Sequence, residues 1–411
     1  MTRPMKLLVY PHIMEIGGSQ LNAIELARGV QEQGHDVVVF APDGELVPMV
    51  EQFGLEYIRS PDENKRPSLR NIKELNHIVA ARSIDIVHGY EDGPALELAL
   101  GPHRKFGTPL VTTVLSMTVP SHIPTHERLI VGTADLLDAQ AGIRNRSYLM
   151  EPPIDTDANS PTVASGGRQR FGIEQDTVLV AVICRMTTDL DKLRGVLEAI
   201  EVVNRLAESR SVTLLVVGAG PGLPQVEQAA KAVNDRCGRD VVVVTGALLD
   251  PRPAYAAADI VIGMGSSALK GMAFGKPLVV QGERGFWKLL EPATLPIFLS
   301  QGFFGHGGTP DDLREPLTRL ISDPAWRVEL GAFARRVVID RFSLARAIDV
   351  QCDIYREAIE VRPSRREIGV GLGRMSVELA KFKFSMARQH ARRQLRLPSM
   401  RLVAQSGRTQ R

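Results

Sequence analysis

The chain has 411 residues, too many for one ordinary core and suited to two domains of similar size. Hydrophobic residues make up 44% and charged residues 24%, the balance of a globular enzyme, which excludes a disordered or fibrous chain. The net charge of +3 hides an uneven distribution: Arg362–Arg411 carries thirteen Lys and Arg against Glu367 and Glu378, or +11, leaving −8 on the other 361 residues.

The longest apolar runs are strand-sized, and none approaches the roughly 20 residues of a membrane span. The N-terminus, MTRPMKLLVY, runs straight into a strand pattern with no signal-peptide h-region. Cys184, Cys237 and Cys352 are odd in number and far apart, which argues against a disulfide framework or zinc site. A reducing, cytoplasmic location is expected.

Both halves alternate short β-rich runs with helical patterns, the signature of parallel α/β sheets. In residues 1–160 strands are expected at Lys6–Tyr10, Asp36–Ala41, Ile84–His88, Leu110–Val114 and Leu129–Val131. Helices are expected at Ser19–Gln33, stopped by Gly34, and at Ser68–Arg82. Asn159–Gly167 reads as an interdomain linker. A second domain over 170–340 begins with strand Val178–Cys184 and helix Leu193–Ala207. It continues with strand Thr213–Val217, helix Leu223–Val233 and strands Val241–Thr245 and Ile260–Ile262. A closing helix, Leu344–Ile359, falls within 341–361, and 362–411 is a basic tail. Two such doubly wound domains place a ligand in the cleft at the carboxyl ends of their strands.

The segment 258–277, ADIVIGMGSSALKGMAFGKP, runs from a strand through a Gly- and Ser-rich turn into a helix opening at Ser266 or Ser267. Such a turn aims bare N–H groups at its occupant, and helix N-termini favour anions. Arg185, at the end of a strand, and Lys192, just beyond, could grip the same anion, or Asp189 and Asp191 could neutralise them as surface ion pairs. Gly17-Gly18-Ser19-Gln20 either approaches an anion or is an ordinary strand–helix turn. Gly218-Ala219-Gly220-Pro221-Gly222 has Leu223 where a dinucleotide fingerprint needs its third glycine, and reads as a tight turn. His122 and His126 have metal-like spacing but sit between prolines in PSHIPTHE, so an exposed loop is expected and no metal ligand set is assigned.

Taken together, GGSQ before a helix and GHDVVVF, Arg185 with Lys192, VTGALLDPRPAYAAADIVIG and SSALKGMAFGKPLVV resemble a family 4 retaining glycosyltransferase of the GT-B fold. The resemblance covers roughly residues 5 to 360 and implies an acceptor domain followed by a donor domain, facing each other across a cleft. It implies a nucleoside-diphosphate sugar as co-substrate, an acceptor of unspecified kind (a glycan, a lipid-linked sugar or a small molecule), no further cofactor and no metal. Gly17 and Gly18 would contact the donor phosphates, with Gly265, Ser266 and Ser267 facing them from the second domain. Arg185 and Lys192 would neutralise the diphosphate leaving group, and Gly246 to Leu248 would hold the nucleobase. Glu91, His122 and His126 are acceptor-side candidates.

Three positions depart from the family pattern. Its paired glutamates would fall at Ile262 and Lys270, and its first-domain histidine near Leu115. A lysine cannot accept hydrogen bonds from a ribose diol. Lys270 is therefore expected to turn to a phosphate or to Glu283, in an active enzyme of a divergent branch. The alternatives are a non-catalytic GT-B protein acting as a binding or regulatory partner, or a sugar-nucleotide epimerase.

In the tail, Leu372, Met375, Leu379, Phe382 and Met386 line one helical face, with Arg374, Lys381 and Arg388 around the other side and Arg392, Arg393 and Arg396 beyond. An anionic membrane surface is an expected partner through residues 372–396, the alternative being a helix docked on the body. Nucleic acid is not expected as a partner.

Overall fold

The alternation of β-rich runs and amphipathic helices produces two sheets with helices on both faces. The computed structural model describes residues 3–62, 66–163, 167–305 and 313–395, with side chains as far as Arg388. Strands β1 Lys6–Tyr10, β2 Asp36–Ala41, β3 Glu56–Arg59, β4 Ile86–Tyr90, β5 Leu110–Val114, β6 Arg128–Val131 and β7 Ser147–Leu149 form the first sheet. All are parallel, in the order β3-β2-β1-β4-β5-β6-β7. The second sheet contains β8 Val178–Ile183, β9 Val212–Val217, β10 Val242–Val244, β11 Ile260–Gly263, β12 Leu278–Gln281 and β13 Trp287–Leu289. Its order is β10-β9-β8-β11-β12-β13, with only β13 antiparallel.

The central strands are mostly apolar because helices cover both faces of each sheet. Leu7 and Leu8, adjacent on β1, are both fully buried, in cores on opposite faces. Strand order reverses once per sheet, between β1 and β4 and between β8 and β11, so a crevice opens at the carboxyl ends of each pair.

The expected strands at Lys6, Asp36 and Leu110 occur with the stated bounds. The strand expected from Ile84 begins at Ile86, because the Ile84 N–H still caps the preceding helix at Val79 O and the Asp85 carboxylate accepts from Lys6 N–H. β3, β7, β12 and β13 are additional; β3 and β7 are short edge strands with half-exposed side chains, which weakens their pattern. The helix expected to end at Val233 runs on to Cys237 and stops at Gly238, whose φ is +64°. Of the expected linker, 164–166 lie outside the described residues.

The closing helix, Leu344–Glu360, belongs by packing to the first domain. Ile154 and Leu344 cross between domains side by side, Ile154 N–H donating to Phe342 O and Leu344 N–H to Ile154 O. Ala347, Ile348, Cys352, Ile354, Tyr355 and Ala358 then join the first-domain core. Arg128, 1% exposed, holds the end of this helix through Glu357 O and Val361 O.

The C-terminal helix, Arg365–Leu395, corrects the membrane expectation over its first half. Leu372 and Met375 are buried on the first domain with Ile368, against Leu75, Ile78 and Leu96, and Leu379 packs beside them. Helical periodicity reports an apolar face without saying what covers it, and over this half the alternative of a helix docked on the body holds. Phe382, Phe384 and Met386 remain exposed. The side chains of Arg392 and Arg393, and all of Arg396, lie outside the described residues. Among the described residues no helix is long and apolar enough to cross a membrane.

The helix Gly265–Ala273 is seated by helix Pro324–Phe342, where a Cβ on Gly331 would stand 2.2 Å from Gly275 O. Because that neighbour is backbone, Gly331→Ala should cost about 1–3 kcal/mol, read as a lower denaturant midpoint at unchanged slope. An unchanged midpoint would contradict this packing.

Candidate functional site

The two strand-order reversals face one another, and the chain delivers four segments to the gap between them. β1 leads through Gly17 into helix Gly18–Glu32, and β4 leads into Glu91. Across the gap β8 leads into Arg185, and β11 passes through Met264 alone into helix Gly265–Ala273. A Cβ on Gly18 would lie 3.6 Å from Ser266 Oγ, so the amino ends of the two helices nearly touch. Arg185 bridges the same gap, its Nη2 donating to Ile16 O at 2.8 Å.

Helical geometry leaves the first N–H groups of each helix without internal acceptors. Gly265 spends its own on Phe303 O at 2.9 Å, so Ser266 and Ser267 supply the free amides. The Ser267 hydroxyl is committed elsewhere, donating to Ile183 O at 2.5 Å and accepting from Tyr255 at 3.1 Å; only its backbone serves the gap. Two positive helix ends and a guanidinium converge on one small space, an arrangement that favours an anion.

The glycines make this approach possible. Gly265 has φ +52°, and a Cβ there would stand 2.5 Å from the Phe304 ring. Gly218 and Gly220 have φ of +142° and +146°, and side chains on them would strike Cys184 O and Met186 O. The GAGPG turn is therefore the seat of the Arg185 loop, held by Met186 N–H to Ala219 O at 2.8 Å. Burial pushes the neighbouring Cys184 thiol up to about 11, which removes it as a nucleophile.

Lys192 opens the next helix and is paired with Asp189 at 2.6 Å, so of the two expected cations only Arg185 reaches across the gap. Between them Leu190 and Asp191 both have positive φ, 53° and 54°. Asp191 ties this loop to the following one, accepting from Arg284 N–H at 2.8 Å, and Arg284 has φ +59°. With Glu91 and Phe303, these strained non-glycine residues gather around the cleft, as functional loops commonly show.

Lys270, expected to face a phosphate or Glu283, has Glu25 of the first helix as a facing charge. Burial raises the Glu25 carboxyl above its ordinary range and Lys270 opposes that rise. Glu283 instead lines a cavity of about 400 Å³ between the domains, with Met117, Thr133, Leu190, Met264 and Phe304. Ile262 is fully buried within β11, and the direct passage from strand to helix leaves no loop there to present a carboxylate. Gly246, φ +70°, accepts Gly218 N–H at 2.8 Å; Leu248 is half-buried, and its neighbour Leu249 is wholly exposed.

On the first-domain side Glu91 has φ +67° and accepts from Leu115 N–H at 3.0 Å, Ser116 Oγ at 2.7 Å and Ser19 Oγ at 3.3 Å. Leu115, where the family histidine would fall, thus offers its backbone to a carboxylate. His12 was not anticipated: burial holds its imidazole below the ordinary range, opposed first by Glu91, and Arg66 donates to its carbonyl at 2.6 Å. Its only sequence signal is a place two residues past the end of β1. His122 is buried and His126 half-buried, rather than exposed. His122 pairs with Asp92 at 3.1 Å, whereas His126 sits at the other end of the sheet beside His103 and Glu127.

The profile of the domain described as Glycosyltransferase Family 4 matches residues 16–142, and that of Glycosyl transferases group 1 matches 177–323. The alpha-D-kanosaminyltransferase of Streptomyces kanamyceticus is 26% identical over 329 residues, covering 70% of this chain and 80% of that protein. Among solved structures, a glycosyltransferase from Rickettsia africae superposes with a TM-score of 0.71 at 18% identity, covering 87% of this chain and all of the other. Anabaena Alr3699/HepE in complex with UDP-glucose gives 0.65 at 17% identity, covering 86% of this chain and all of the other. These two likenesses concern the fold.

The opposition of Lys270 to the Glu25 shift makes a pH prediction. Glu25 has a folded-state pKa above its unfolded value of 4.5, so its burial costs stability progressively as pH rises through that window. Lys270→Met removes the opposing charge, and should lower the melting temperature more at pH 7.5 than at pH 4. An equal loss at both pH values would show that the two side chains do not interact.

Proposed function

Because the chain belongs to family 4 of the glycosyltransferases and has their GT-B fold, we propose that it moves a sugar with retention from a nucleoside-diphosphate sugar to an acceptor hydroxyl. A uridine donor is favoured by the complex of Anabaena Alr3699/HepE with UDP-glucose. The observation that carries the reading is the meeting of two helix amino ends with Arg185 at the facing strand-order reversals.

The diphosphate lies in that gap. Gly17 and Gly18 approach it from one side, and the amides of Ser266 and Ser267 from the other. As the bond from the sugar to the phosphate oxygen breaks, negative charge grows on the diphosphate, and Arg185 is already aimed there, with Lys192 close behind. The chain thus supplies the positive charge itself. The acceptor hydroxyl approaches from the first domain, past Glu91 and His12, and its proton leaves on the departing phosphate oxygen. The turn around Gly246 and Leu248, with Leu249 exposed beside it, receives the base.

The test is transfer or slow hydrolysis of a panel of UDP- and GDP-sugars, read by mass spectrometry, with the product anomer assigned by NMR. Arg185→Ala should lower kcat by about 10²–10³, the loss typical of one group that stabilises developing charge. Turnover of no donor, or a variant as fast as the parent, would overturn this reading. Product of inverted configuration would overturn retention alone.

A further inference from the structure

We propose that His103, His126 and Glu127 form a binding site for a divalent transition-metal ion of the zinc class, one that fastens the C-terminal helix to the first domain. His103 ends the helical turn Ala99–His103 ahead of β5, and His126 and Glu127 immediately precede β6. All three lie at the amino ends of parallel strands, across the sheet from the cleft at the carboxyl ends. The site is separate from the sugar-transfer machinery, and the inference stands independently of the proposed reaction.

The geometry is that of three ligands around one centre. His103 Nε2 is 3.0 Å from His126 Nε2 and 2.9 Å from Glu127 Oε1, and His126 Nε2 is 3.3 Å from the same oxygen. Ligands about 2.1 Å from a tetrahedral zinc ion stand about 3.4 Å apart. Opening this triangle by a few tenths of an ångström therefore admits the ion. Two imidazoles and a carboxylate are an ordinary zinc set.

Electron pairs give the second argument. His103 Nδ1 lies 2.8 Å from Thr108 O, which can only accept, so Nδ1 carries a hydrogen. In neutral His103 the lone pair then sits on Nε2, facing a carboxylate oxygen and a second imidazole nitrogen. With that nitrogen bare, no described residue donates to Glu127 Oε1, and Glu127 is only 2% exposed. Three electron-rich atoms converge where two of the three side chains are shut off from solvent and only His126 borders a cavity. One proton on His103 would satisfy the carboxylate and leave His126 unserved; one divalent ion satisfies all three. The Thr108 carbonyl behind His103 is also the kind of partner that orients a metal-bound imidazole.

The fourth position opens on a cavity of about 620 Å³, lined by His126 with Arg146, Glu367, Gly371 and Arg374. Water fills that coordination position, or Glu367 does. Gly371 links the site to the C-terminal helix. A Cβ there would stand 1.8 Å from His126 Nδ1, so the helix lies directly on the imidazole, between its anchors Ile368 and Leu372. Fixing the ring fixes the surface on which the helix docks.

The experiment uses the full chain, dialysed against a chelator and titrated with Zn(II) against a chromophoric competitor. The expected result is uptake of one ion per chain, a melting temperature several degrees higher with zinc in excess, and slower hydrogen exchange over residues 365–380. Glu127→Gln and His103→Asn should each lower zinc affinity at least 10-fold. If either variant fails to fold, Co(II) added to the parent decides, since His and carboxylate ligands should give intense four-coordinate visible bands without thiolate charge transfer. Uptake by the parent of no ion at ~100 µM zinc would overturn the proposal and leave a protonated His103–Glu127 pair. Undiminished uptake in a folded Glu127→Gln, or six-coordinate Co(II) bands, would overturn it too.

Discussion

The architecture turns on one constraint: two helix amino ends must be brought almost into contact with nothing but small residues between them. Each end carries roughly half a positive charge and amides with no internal acceptor. Gly18 and Ser266 leave room for the approach, and Arg185 adds a third positive group whose N–H already reaches the opposite domain. Positive ends repel, so an anion between them would stabilise the arrangement. Much of the surrounding detail serves it. Gly218 and Gly220 admit the Arg185 loop, Gly265 admits Phe304, and Gly331 seats the helix that carries Ser266.

The chain also holds the two domains in register by returning. The crossings at Ile154 and Leu344 run side by side, and the closing helix spends its apolar face on the first domain. The C-terminal helix then covers Leu75, Ile78 and Leu96 of the same domain. Arg128 stands at the joint between these two helices, bound to a carbonyl in the last turn of the first and to Val361 O just beyond it. The first domain is thus completed by residues from the far end of the sequence, and contacts of that span cannot form until most of the chain is present.

The doubly wound halves were legible because buried parallel strands are written as continuous apolar runs, as in Leu7 to Val9 and Val212 to Val217. The phosphate side was legible for a related reason: Gly17, Gly18, Gly265 and Arg185 each follow a strand, where chain order alone predicts the cleft. What pairs with what was not legible. Nothing local says that Glu25 is the charge Lys270 acts on, that Ser267 spends its hydroxyl on Ile183, or that His126 finds His103 rather than His122. Those partners come from different elements, and tertiary packing chooses them. The cover over Leu372 and Met375 was not legible for the same reason, since periodicity describes a face and the fold supplies what packs on it.

The central claim, that this gap exists to hold a diphosphate, is tested most directly by calorimetric titration with UDP, UMP and uridine. The account predicts that affinity falls with each phosphate removed, and that in Arg185→Ala UDP loses its advantage over UMP. Equal binding of all three, or an undiminished preference for UDP in the variant, would contradict it.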